Sequence, residues 1–150
     1  MNMKYIVYTD GACSGNPGAG GWAFLVLYKG KQKMFSGCKK DTTNNRMELL
    51  AIVRALEVLP DGAIIIYSDS AYCINTITQG WVYNWMKNDW KTKAGEEVKN
   101  RDLWERYLKA ISTCKQVSFF KVKGHSYHKY NDMVDQEARR QAQKLKTKQK

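Results

Sequence analysis

Ile65-Ile66-Tyr67-Ser68-Asp69 repeats, almost residue for residue, a segment near the start of the chain, Ile6-Val7-Tyr8-Thr9-Asp10. Each is an apolar run of the β-branched and aromatic residues that favour strands, and each ends in tyrosine, a hydroxyl residue and aspartate. Three consecutive isoleucines within Ala63–Ser68 mark a strand buried on both faces. Placed adjacent and parallel, the two strands carry both aspartates to the carboxyl edge of one sheet. That edge is where open α/β sheets bind their ligands.

The flanking sequence fits such a sheet. Lys4–Thr9, Gly21–Tyr28 and Lys31–Gly37 read as strands, the last two joined through Lys29-Gly30 as a hairpin. Met47–Leu59 spaces Leu49, Ile52, Val53, Leu56 and Leu59 as a helix does, and Pro60 stops it. A short helix over Ser70–Ile77, a helix over Leu103–Ile111, a strand over Gln116–Val122 and a last helix over Asp132–Leu145 follow. Residues 81–100 are aromatic and polar with weak periodicity. The order predicts one α/β domain, a mixed sheet covered by helices.

The chain has 150 residues, 43% of them hydrophobic and 12% aromatic, which excludes global disorder. No apolar run approaches the ~18 residues of a membrane helix, and no signal peptide opens the chain, so the expected compartment is the cytoplasm. Cys13, Cys38, Cys73 and Cys114 lack zinc-site spacing and read as free thiols. The net charge of +11 favours a polyanionic partner, nucleic acid before an acidic membrane. Two segments carry the excess. Residues 139–150 hold six basic residues and no acid, and residues 29–46 hold six against Asp41.

Four carboxylates stand out, and each has a plain structural use. Asp10-Gly11 suits a turn. Asp69 suits a helix N-cap. Asn45-x-x-Glu48 resembles a capping box. Asp135, with Asp132 and Glu137, suits a helix N-terminus. Gathered at one sheet edge, however, they would repel one another and titrate high unless neutralised. Mg²⁺ takes oxygen ligands and keeps waters and phosphate oxygens, and two ions roughly 3.5–4 Å apart can activate a water and stabilise a leaving oxygen. In a basic protein the surface then holds the polyanion while the acids hold the metals.

Four ordered motifs carry a family resemblance. Tyr8-Thr9-Asp10-Gly11-Ala12-Cys13-Ser14-Gly15-Asn16-Pro17-Gly18 resembles the opening motif of type 1 ribonuclease H, and Thr42-Thr43-Asn44-Asn45-Arg46-Met47-Glu48-Leu49 its second. Tyr67-Ser68-Asp69-Ser70 resembles the third. Gly124-His125, Asn131 and Asp135 with Ala138 resemble the fourth. Trp81 through Trp104 is similar to the protrusion, or handle, of bacterial members. The resemblance implies a ribonuclease H-like fold, an α/β five-stranded mixed sheet with strands 1–3 antiparallel and helices on both faces. It implies endonucleolytic hydrolysis of the RNA strand of RNA–DNA hybrids by two metal ions, leaving 5′-phosphate and 3′-hydroxyl ends. The ion expected is Mg²⁺, with Mn²⁺ as a substitute. Asp10, Glu48, Asp69 and Asp135 become the metal-binding set, and His125 a loop histidine that assists proton transfer or product release.

The same resemblance implies the substrate contacts. Asn16, Asn44 and Asn45 face the minor groove, where 2′-hydroxyls mark RNA. Gly11 offers backbone where a side chain would obstruct the RNA. Thr43, Arg46 and Asn100 form a pocket for a DNA-strand phosphate, and Tyr72, Trp81 and Trp85 an aromatic channel beside the DNA sugars. Trp22 and Trp104 read as core, with Trp90 open between core and channel. Ala71 and Tyr127 depart from the family pattern, and residues 81–100 carry a net charge of only +1. The expected organisation is a catalytic domain over residues 1–145, with the handle at about 81–100 and a frayed basic tail at 146–150. A monomer without an obligate protein partner or membrane attachment is expected. A nuclease or strand-transfer enzyme of the same fold acting on duplex DNA and a non-catalytic hybrid-binding module are the competing readings. Asn44-Asn45 and the handle oppose the first, and retention of all four acids opposes the second.

Overall fold

The computed structural model describes residues 4–59, 61–122 and 128–148. Five strands form one sheet in the order β3-β2-β1-β4-β5. They are β1 (Lys4–Gly15), β2 (Gly18–Tyr28), β3 (Lys31–Thr42), β4 (Ala63–Ser68) and β5 (Gln116–Lys121). β1, β2 and β3 pair antiparallel, and β4 and β5 add parallel to β1. The twin segments are in register as neighbours, with Ile6 opposite Ile65, Tyr8 opposite Tyr67 and Thr9 opposite Ser68. Asp10 and Asp69 therefore follow side by side, just past the last paired residues of β1 and β4.

Strand alternation splits the side chains between two cores. Val7, Phe24, Val26, Ile64 and Ile66 face one side, under α1 (Asn44–Val58), α2 (Ala71–Thr78), α3 (Trp81–Lys87) and α4 (Arg101–Ser112). Tyr8, Ala23 and Leu25 face the other, under Val134 and Ala138 of α5 (Lys129–Lys148). The helical spacing read around Leu49 puts Leu49, Ile52, Val53 and Leu56 fully inside. Trp104 is also fully buried, and Trp90 is 7% exposed, which settles it as a core residue.

Several boundaries move. β1 and β3 run well past their predicted ends at Thr9 and Gly37, because six residue pairs of the β1–β2 hairpin, Asp10 to Gly15, lie beyond the apolar run and β3 stays paired with β2 as far as Thr42. Lys29 and Gly30 both take positive φ, as a hairpin twisted like its strands requires. α3 was not legible in the weak periodicity of residues 81–100; only Val82 of its seven residues is buried, so little apolar pattern marks it. α5 continues through Lys148, past the boundary at 146 expected for a frayed tail. All four cysteines are free. No helix among the described residues is long and apolar enough to cross a membrane.

Candidate active site

Hydroxyl residues occupy the structural positions that the acids could have filled. The N-cap of α1 is Thr43, whose Oγ1 accepts from Arg46 N–H at 3.2 Å, so Asn45 and Glu48 form no capping box. The N-cap of α2 is Ser70, accepting from Cys73 N–H at 3.1 Å, so Asp69 is not the cap. Asp10 lies within β1 rather than in a turn. Relieved of these duties, Asp10, Glu48 and Asp69 converge. One carboxylate oxygen from each lies within 4.8 Å of the others.

This trio is poorly solvated and self-repelling. Asp10 and Glu48 are each 4% exposed, whereas Asp69 opens to solvent. Burial is the main cause that pushes the Asp10 carboxyl up to about 6, with Asp69 and Asp135 adding repulsion. Burial also lifts Glu48 well above the usual carboxylate range, and its contact with Asp10 raises it further. Both carboxylates accept from one donor, the Gly11 backbone N–H, at 2.8 Å for Asp10. Three oxygen ligands gathered against their own repulsion are a donor set that suits a hard cation.

Asp135 stands apart. It is near enough to repel Asp10, but it lies outside the close trio and pairs with Arg139 at 3.2 Å on α5. His125 and Tyr127 lie outside the described residues. Their near neighbour His128 meets the Tyr8 hydroxyl at 3.4 Å through Nε2.

The expected substrate residues divide into groups. Asn16, Thr43, Asn44, Asn45 and Asn100 line one pocket of about 220 Å³, joined by Lys99, a residue outside the set that the family resemblance implies. Arg46 is clasped by Asp102 through two bonds of 2.9 and 2.6 Å, beside that pocket rather than free within it. This pairing raises Arg46 and lowers Asp102 from their usual values, chiefly through the hydrogen bond between them. Trp81, 44% exposed, and half-buried Trp85 line a groove of about 620 Å³ with Lys91 and Lys93. Tyr72 turns its ring edge against Trp104 and its hydroxyl toward Asn100. Gly11 is buried. A Cβ there would overlap the backbone of Met47 and Glu48 where α1 crosses β1.

The chain is similar to known proteins. The family model described as RNase H matches residues 2–143. A protein named ribonuclease H from Chlorobaculum parvum is 49% identical over 140 residues, covering 93% of this chain and 95% of the relative. One of the same name from Chlorobium phaeobacteroides is 51% identical with the same coverage. LC9-RNase H1, a type 1 RNase H with the type 2 active-site motif, superposes with a TM-score of 0.81 at 29% identity, covering 95% of this chain and 73% of that one. LC11-RNase H1, solved in complex with an RNA/DNA hybrid, superposes with a TM-score of 0.69 at 23% identity over 94% and 98% of the two chains, a likeness of fold. With a match running nearly end to end and relatives at about half identity, the chain belongs to the ribonuclease H family.

Proposed function

We propose that Asp10, Glu48, Asp69 and Asp135 form the catalytic centre of the activity that family membership establishes, hydrolysis of the RNA strand of RNA–DNA hybrids. The observation that carries this reading is the buried carboxylate trio at the open edge of the sheet in a chain of net charge +11. Mg²⁺ is the ion proposed, with Mn²⁺ as a substitute, because every donor is a carboxylate oxygen. Two such ions would supply an activated water and stabilise the leaving oxygen, giving 5′-phosphate and 3′-hydroxyl ends. The Gly11 N–H holds the Asp10 and Glu48 carboxylates in place, and exposed Asp69 leaves the site open to a large substrate. His125 is assigned the proton-transfer or product-release role that the motif resemblance implies.

The pocket at the N-terminus of α1 suits a phosphate, since Thr43, Asn44, Asn45 and Lys99 line it and the start of a helix favours an anion. Exposed Asn16, Asn44 and Asn45 offer both donors and acceptors to ribose hydroxyls. Trp81 and Trp85 with Lys91 and Lys93 offer aromatic faces and charge to the DNA strand. That a protein of the same fold was solved with an RNA/DNA hybrid supports the substrate assignment. The reading takes residues 1–145 as the catalytic domain, 81–100 as its handle, and the enzyme as a cytoplasmic monomer.

Cleavage of matched RNA–DNA, RNA–RNA and DNA–DNA duplexes, with Mg²⁺ and with a chelator, tests this. Only the RNA strand of the hybrid should be cut, and only with metal. Cleavage that survives chelation, or a DNA duplex cut as well as the hybrid, would refute the proposal.

The basic C-terminus supplies a separate expectation. Deleting residues 145–150 removes Lys146, Lys148 and Lys150. Each phosphate contact contributes about 0.9 to the slope of log K against log salt, so the slope should flatten by roughly one to two units. Binding at low salt should weaken, and turnover at saturating hybrid should hardly change. A slope equal to that of the full chain would leave the segment merely solvated.

A further inference from the structure

Asn100 is held at both ends of its amide. Oδ1 accepts from Arg46 Nη1 at 3.3 Å, and Nδ2 donates to the Tyr72 hydroxyl at 3.0 Å. The same hydroxyl accepts from Nε1 of fully buried Trp104 at 2.8 Å. Indole and guanidinium nitrogens only donate, so this chemistry permits one amide orientation. A flipped amide would set Nδ2 against the guanidinium, donor against donor. Among the described residues the second Nδ2 proton has no partner.

The backbone agrees. Asn100 is the N-cap of α4, yet it sits in the left-handed region with φ 64° and ψ 26° and its side chain makes no capping bond. Asparagine tolerates that conformation better than most residues, though at some cost. The side chain that ordinarily satisfies a helix start is committed instead to Tyr72 and Arg46.

We infer that Tyr72 is a positioning residue for the substrate. Its hydroxyl, anchored on Trp104, aligns the Asn100 amide so that the second N–H meets a phosphate oxygen in the pocket shared with Thr43 and Lys99. This role of the hydroxyl adds to the place of the Tyr72 ring beside the DNA sugars, and it rests on the phosphate-pocket reading above.

Steady-state cleavage of one defined hybrid by wild type, Tyr72→Phe, Asn100→Ala and the double variant tests the inference. Phenylalanine keeps the ring and removes only the oxygen. Assays are run well below each melting midpoint, because Trp104 N–H loses its partner. Tyr72→Phe should raise KM about three- to tenfold, the range one hydrogen bond supports, with kcat within about twofold. Asn100→Ala should raise KM at least as much, and the double variant should be no worse than Asn100→Ala alone. A wild-type KM in Asn100→Ala would overturn the pocket reading and the inference with it. A raised KM in Asn100→Ala beside a wild-type KM in Tyr72→Phe, or effects that multiply in the double variant, would overturn the inference alone.

Discussion

Asp10→Asn is expected to lose cleavage by at least about three orders of magnitude while the metal-free protein becomes harder to unfold. Both effects have one cause. Asp10 is buried against Glu48 and near Asp69, a position that favours a cation and penalises bare charge. An amide is a poor ligand for Mg²⁺, so turnover falls. The stability effect follows from linkage. Because the folded-state value is raised, to about 6, the stabilisation is complete below pH ~4 and is lost as pH rises through 6. At pH 8 without metal the ionised carboxylate destabilises the fold, which the amide does not. In chelator at pH 8 the variant should melt several degrees above wild type, and the gap should close toward pH 4. Added Mg²⁺ should raise the wild-type midpoint more than that of the variant. Hybrid affinity should survive or improve, since a negative charge near phosphate is gone. Near-normal turnover at millimolar Mg²⁺, or a lower melting point at pH 8 in chelator, would sink the assignment.

Gly11→Ala is expected to cost about 3 kcal/mol or more and to impair both kcat and KM. The added Cβ meets backbone atoms of Met47 and Glu48, which cannot rotate away as a side chain tip can. α1 must shift off β1. That helix start carries Glu48 to the carboxylate trio and Thr43, Asn44 and Asn45 to the phosphate pocket, so one displacement disturbs both. The Gly11 N–H would also lose its alignment with Asp10 and Glu48. Urea unfolding and single-turnover cleavage measure the two consequences. An alanine variant with wild-type stability and KM would show that the crossing is loose.

The architecture was legible because it rests on periodicity. The twin apolar segments, the helical spacing from Leu49 to Leu56 and the isoleucine run of β4 each identify an element before any packing is known. Matching endings on the twin segments, Tyr-Thr-Asp and Tyr-Ser-Asp, also bring Asp10 and Asp69 together once the strands are neighbours. α3 leaves no such mark in the sequence because it buries too little to need an apolar stripe.

For the site, sequence determined the chemical inventory: carboxylates in a basic chain, exposed asparagines, aromatic residues in the handle, and their order along the chain. It did not determine which of several possible partners each side chain takes. Asn45 and Glu48 have the spacing of a capping box, yet Thr43 caps α1 and releases Glu48 to Asp10. Arg46 and Asp102, and likewise Tyr72, Asn100 and Trp104, are joined across elements distant in the chain. Gly11 reads locally as a turn glycine and is instead the point where a helix crosses a strand. Propensity and periodicity act over neighbouring residues and can be read along the chain. Desolvation, charge repulsion and the choice among hydrogen-bond partners depend on distances that only the packing of α1, α2 and α4 on the sheet creates.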